Sequence, residues 1–268
     1  MDLNVNKVEK KWLNEVFKAS ADCFKDANLP SHDHWHHYRV WIYAKELLNA
    51  LSLHNELTEN ELTNLLIACF FHDTGMTITK DEKHGKEGAI LCKHFFHNSQ
   101  IQMPANLETA IKAIEHHDDK SYKQGNSNPC SLITILASAD DLDAYGYIGI
   151  LRYAEIYLLR DIPMEELSEK VVKNAETRFN NFENNFRNCK KLITRHKKRL
   201  NILLDFYNNM PQKNYNRKII EQVNKNIRRY KPQRLEDLVE DKTQKDKFLS
   251  FKNNLTSELN HFQNPEFI

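Results

Sequence analysis

Apolar residues recur three and four positions apart along nearly the whole chain, the spacing that lines one face of an α-helix. Read this way, the sequence predicts helices over about 6–27, 34–53, 59–73, 85–98, 105–117, 129–145, 147–160 and 165–209, with shorter ones near 214–230 and 243–262. Thr58 followed by Glu61 has the spacing of a capping box ahead of the apolar run LLIACFF, and Pro163 marks the start of the long helix that follows it. Only 6 glycines and 7 prolines occur in 268 residues, too few turn positions for many hairpins, so the predicted class is all-α.

The pattern changes after Pro163. Leu167, Val171, Ala175, Phe179, Phe182, Phe186, Ile193, Leu200, Leu203 and Leu204 fall on one face of the predicted helix over 165–209, with dense charge elsewhere. This predicts a core domain over 1–163 and a helical extension over 164–268. The stripe needs cover, either from the first part of the same molecule or from a second copy in a homodimer through these helices. Beyond it, NRKIIEQVNKNIRRYKPQR is locally basic and reads as a solvated helix face or as a surface for an anionic partner.

Over the whole chain, 38 Lys and Arg balance 37 Asp and Glu, so total charge provides no footprint for nucleic acid or an anionic membrane. No apolar run approaches the roughly 18–20 residues that cross a bilayer, and the start MDLNVNKVEKKWLNEVF is amphipathic rather than signal-like; the expectation is a cytoplasmic protein without a membrane partner. Cys23, Cys69, Cys92, Cys130 and Cys189 are scattered and form no C-x-x-C, which predicts reduced thiols rather than disulfides or a thiolate zinc site. There is no P-loop, no dinucleotide glycine fingerprint and no G-x-S-x-G.

The 13 histidines are unevenly spread: His32, His34, His36 and His37 together, His72 before Asp73, then His84, then His116 and His117. Imidazole and carboxylate together suit divalent metals of the Zn, Fe and Mn type, and a hydrolytic site keeps a coordination position open. His32 and His36 lie four apart on one helix face, and His72-Asp73 ends a strongly apolar helix. A buried Asp requires a partner there, a metal or a salt bridge.

In order, His36, His72-Asp73 and Asp140 within ITILASADDLDAYGYIGILR resemble the signature of the HD superfamily of metal-dependent phosphohydrolases, over about residues 30–160. The resemblance implies an HD helical core with Asp140 as ligand and Asp143 behind it. His84 in HGKEGAIL and His116-His117 are similar to elements of subfamilies with a binuclear centre. Two divalent ions are then expected, with Mn, Fe, Zn, Ni, Co and Mg all open. Asp73 would bridge them, His36, His72 and Asp140 would hold one, and His84, His116 and His117 the other, with Asp73, His84 and His116 as the catalytic set. His32 is a further candidate at the edge. Met76 stands where the cyclic-dinucleotide phosphodiesterases carry a lysine, and no Gly-Tyr-Pro follows the paired histidines.

The activity implied is hydrolysis of a phosphate ester or nucleotide phosphate by a metal-activated water, with a small phosphorylated or nucleotide substrate as partner. Arg39, Lys80, Lys83, Lys120 and Lys123 are the candidate cations for its phosphate. Two alternatives share the ligands: an HD-fold mixed-valence di-iron oxygenase, whose His-x-x-x-Gly-Ala element resembles His84 to Ala89, and a non-catalytic metal-containing binding module.

Overall fold

The computed structural model describes residues 3–53, 56–99, 101–118, 128–229, 234–241 and 247–262. Among them there are helices and no strand, so the fold is all-α as the periodicity predicts. No helix among the described residues is long and apolar enough to cross a membrane. The five cysteines are free thiols: Cys69, Cys92 and Cys189 are buried, Cys23 is half-buried and Cys130 exposed.

The chain forms two compact units, one of Met1–Ala27 and His32–Leu142, the other of Asn28–Ser31 and Asp143–Glu266. The first contains α1 (Leu3–Val8), a π-helical turn (Glu9–Leu13), α2 (Asn14–Phe24), α3 (His34–Ala50), α4 (Glu59–Phe71), a 3-10 turn (Thr74–Thr77), α5 (His84–Asn98), α6 (Leu107–His116) and α7 (Leu132–Asp143) up to Leu142. Helix α4 is its axis. Every residue from Leu62 to Phe71 is buried, because α1, α3, α5 and α6 all pack on it. Burial of each large apolar side chain contributes about 1.5–3 kcal/mol, which explains why LLIACFF has no polar face. The predicted capping box is present: Thr58 Oγ1 accepts from the Glu61 amide at 3.3 Å, and Glu61 Oε2 accepts from the Thr58 amide at 2.8 Å. The other end of α4 delivers His72 and Asp73.

The second unit holds α8 (Gly146–Leu159), α9 (Met164–Asn185), α10 (Lys190–Asn209), α11 (Asn214–Arg229), a 3-10 turn (Leu235–Val239) and α12 (Leu249–Leu259). By compactness the division falls at Leu142 and Asp143 rather than at residue 163, because α8 packs with α9, α10, α11 and α12.

The helix expected over 165–209 is two helices. A straight one would be about 68 Å long and would leave most of its stripe without cover. The chain instead turns at Phe186–Cys189, where the Cys189 amide donates to the Phe186 carbonyl at 2.7 Å, and α10 folds back on α9. Leu167, Val171, Ala175, Phe179, Phe182, Phe186, Leu200 and Leu203 are thereby buried, so the face expected to offer a homodimer surface is covered within the unit. Glu258 on α12 ties the unit together by accepting from the Tyr147 amide at the start of α8 at 2.7 Å and from Arg199 Nη2 on α10 at 2.6 Å. The basic stretch up to Arg229 lies on α11, with Ile219, Ile220, Val223 and Ile227 buried and Arg217, Lys218, Lys225 and Arg228 facing outward, and 230–233 lie outside the described residues.

Candidate metal centre

The site is assembled at helix ends in the first unit. Asp33 caps α3, accepting from the Trp35 and His36 amides at 3.0 and 3.2 Å, and so fixes His36 in the first turn. His72 is the C-cap of α4. Asp73 follows at φ −102 and ψ 2, a turning conformation that sends its carboxylate back across the helix end. His84 opens α5, His117 follows the last residue of α6, and Asp140 lies near the end of α7.

Two glycines bring the α5 backbone close enough for His84 to reach Asp73. A Cβ on Gly75 would collide with the His84 carbonyl, and one on Gly88 would lie 2.7 Å from the Phe71 carbonyl. The turn after Asp73 and helix α5 therefore meet backbone to backbone.

Asp73 faces two clusters at once. On one side its Oδ2 lies 3.5 Å from His36 Nε2 and 3.6 Å from His72 Nε2. Those two nitrogens are 3.2 Å apart, and Asp140 Oδ1 is 3.4 and 3.8 Å from them. On the other side Asp73 Oδ1 lies 3.4 Å from His84 Nε2 and 3.2 Å from His117 Nε2, which are 3.3 Å apart. Two donors about 2.1 Å from one ion are separated by about 3.0 Å at a right angle and about 3.4 Å at the tetrahedral angle. The second cluster, at 3.2–3.4 Å, has that spacing, and the first, at 3.2–3.8 Å, is somewhat wider.

Proton placement supports the same conclusion. His72 Nδ1 donates to the Cys69 carbonyl at 2.9 Å, His84 Nδ1 to the Asp81 carbonyl at 2.6 Å and His117 Nδ1 to the Ile114 carbonyl at 2.8 Å. In the neutral rings each Nε2 is then a lone pair aimed into the cluster, the arrangement that metal-binding imidazoles adopt. Facing lone pairs need a cation between them, a metal ion or a proton. Burial by itself lowers the pKa of His84, but the hydrogen bond and charge of Asp73 outweigh it and raise it to about 9. His72 is likewise raised against its burial by Asp73 and Asp140. Burial opposes ionisation of Asp73, yet His72, His117, His36 and His84 hold its carboxyl well below the usual range.

Residues 35–145 match the HD domain family. The chain carries an HD domain. No curated protein and no solved structure is similar enough to match the chain. The HD domain's clustered histidines and aspartates, His36, His72, Asp73 and Asp140 on one side and Asp73, His84 and His117 on the other, fit divalent metal ions.

The remaining expected residues fall elsewhere. His116 is exposed and belongs to no ligand cluster among the described residues, since adjacent residues at a helix end point apart and only His117 turns inward. His32 is buried with its ring 5.8 Å from that of His36, outside both clusters. Asp143 is fully buried and accepts from Arg152 Nη1 at 3.4 Å. Arg39 is buried and engaged within the protein, Lys80 is half-buried and Lys83 exposed. Lys120 and Lys123 lie outside the described residues.

Sequence reasoning gave no role to His37. It is fully buried, its Nδ1 is 2.6 Å from Ser20 Oγ, and its ring lies 4.9 Å from that of His72. Burial, reinforced by His72 and His36, pushes its pKa well below the ordinary value, and with His36 and His72 it forms a further group that could hold a metal ion. The His36-His37 doublet on a buried helix was its only signal.

Proposed function

We propose that the HD domain is a phosphohydrolase using two divalent ions, one held by His36, His72, Asp73 and Asp140, the other by Asp73, His84 and His117. The observation that carries this reading is the division of the Asp73 carboxylate, whose two oxygens face separate clusters. With three protein donors, the second position leaves coordination sites for water and substrate. Ions held there would lower the pKa of a coordinated water toward neutrality and polarise a phosphoryl oxygen.

The chain's own residues set the geometry. The Cys69, Asp81 and Ile114 carbonyls keep the imidazoles in the tautomer that presents Nε2. Asp140, 14% exposed against 0–6% for His36, His72, Asp73, His84 and His117, lies on the most open side and marks where a phosphate ester or nucleotide phosphate enters. His84 serves as a ligand here, and His116 is left without a catalytic part.

The test is elemental analysis of anaerobically purified protein with a screen of phosphomonoesters, phosphodiesters and nucleotides. The expected result is about two ions per chain and a hydrolysis that stops on chelation, resumes with Mn or Zn and proceeds without oxygen. Two irons with oxygen-dependent turnover and no phosphate release would replace this reading with the di-iron oxygenase. Metal without turnover of either kind would favour the binding module.

A further inference from the structure

The overall charge of +1 conceals a division. Residues 1–142 carry 14 Lys and Arg against 20 Asp and Glu, whereas 143–268 carry 24 against 17. Part of the surplus lies on the exposed face of α10, where Lys190, Lys191, Arg195, Lys197 and Lys198 follow one another. That face ends at a cavity of about 410 Å³ wholly within the second unit, between the start of α8, α10, α11 and α12.

The cavity has an unusual lining for a solvated surface. Tyr147, Phe206, Tyr215 and Phe251 supply aromatic faces, and Lys198 and Lys213 stand at its edge. Tyr147 and Phe251 meet edge-on at 5.3 Å; Phe206 and Phe251 are buried behind the lining, so the accessible ring surface is that of the half-buried Tyr147 and the exposed Tyr215. Large apolar groups remain exposed here: Tyr215 at 44%, Ile202 at 37% and Leu249, next to the lining residue Ser250, at 50%. Neither Lys198 nor Lys213 has an ion-pair partner among the described residues, although Arg199 beside Lys198 is paired with Glu258. The carboxylate in the lining, Asp205, is held by Asn209 Nδ2 at 2.8 Å. The Tyr147 hydroxyl accepts from Asn254 at 3.0 Å and keeps its own proton to donate. Exposed aromatic surface is costly to leave to water, and here it adjoins two ammonium groups with no ion-pair partner among the described residues, a pairing that matches a ligand planar and aromatic at one end and anionic at the other.

We propose that this cavity is a second binding site, carried by the helices outside the HD domain, for a nucleotide unit: a base against Tyr215 and its aromatic neighbours, with phosphate on Lys198 and Lys213. Base stacking on aromatic side chains tolerates any base, and lysines act on phosphate as point charges, so the site selects the class rather than one nucleotide. The unit can come from a free nucleotide or from a single strand of nucleic acid. The basic face of α10 from Lys190 to Lys198 extends about 12 Å and would carry further phosphates of a strand.

The probes are AMP, a short oligothymidylate and inorganic phosphate, titrated into the full-length Asp73→Ala variant so that the metal centre contributes nothing. AMP or the oligonucleotide still binds this variant, adding Lys198→Glu with Lys213→Glu abolishes that binding, and adding Tyr215→Ala weakens it by about tenfold. Melting temperatures are taken alongside, and the alanine pair Lys198→Ala with Lys213→Ala serves if charge reversal unfolds the protein. An oligothymidylate that binds much tighter than AMP, with affinity falling steeply in salt, identifies a strand as the source; comparable affinities identify the free nucleotide. Loss of binding in Asp73→Ala, binding indifferent to the lysine pair, or phosphate binding as tightly as AMP would each overturn the proposal.

Discussion

His72 and His196 are both fully buried, one in each compact unit, and both are flanked by charge. His72 looks at Asp73 and Asp140, 3.6 and 3.8 Å away, and its pKa is raised despite burial. His196 lies 3.0 Å from Arg195 Nη2 and 3.2 Å from Arg199 Nη1, against the Phe182 ring, and burial with those guanidiniums drives it down to about 2. A buried imidazole is therefore no sign of a metal on its own. What marks a ligand is the sign of the surrounding charge and whether Nε2 is left as an outward lone pair.

The strongest way to break this contrast is to remove the carboxylate. Asp73→Ala takes a donor from both clusters and removes a main cause of the raised His72 pKa, making His72 more like His196. Metal content should fall to near zero and hydrolysis by about 10³-fold or more while the helical circular dichroism is retained. Full metal occupancy in this variant would mean that Asp73 is not the bridge.

His84→Ala tests one half alone. The second cluster is left with Asp73 and His117, so stoichiometry drops from about two ions to about one and turnover by about 100-fold. In the parent protein, metal must displace a proton from His84, whose pKa is about 9 without metal, so affinity at this cluster should rise up to about tenfold per pH unit from 7 toward 9. A pH-independent affinity would contradict the assignment.

The smallest effect lies in the second unit. The unfolded chain protonates His196 below its ordinary pKa of 6.5, whereas the folded chain does so only near 2. Between those values the unfolded state holds the extra proton, so stability falls as the solution is acidified, by up to about 1.4 kcal/mol per pH unit. His196→Gln should flatten that slope between pH 6 and 4 in urea titrations; an unchanged slope would show that this imidazole is not held neutral.

Part of the candidate centre was legible because His72 and Asp73 lie where local patterns are strongest. The apolar run before His72-Asp73 and the Thr58-Glu61 box depend on residues close in sequence, and α4 follows from them, whereas the order His36, His72-Asp73, Asp140 spans residues 36–140 and was read from its resemblance to a family signature. Choosing His117 over His116 required the direction of one side chain at the end of α6, which spacing does not give. The break after α9 was hidden for a related reason. NNFRNCK contains neither Gly nor Pro, and the turn there exists because two apolar stripes cover each other, a tertiary cause that continues the periodicity across the break. His37 and the Asp143–Arg152 contact were likewise set by packing rather than by pattern.

The meeting of the Gly75 turn with Gly88 on α5 has an evolutionary consequence. His84 is placed on Asp73 by the distance between two backbones, and one added methyl at either glycine moves that distance. On the two-ion reading, a lineage thus has a route from two ions to one that leaves every candidate ligand in its sequence, and the candidate ligands of such a descendant, counted by eye, would overstate the metal it carries.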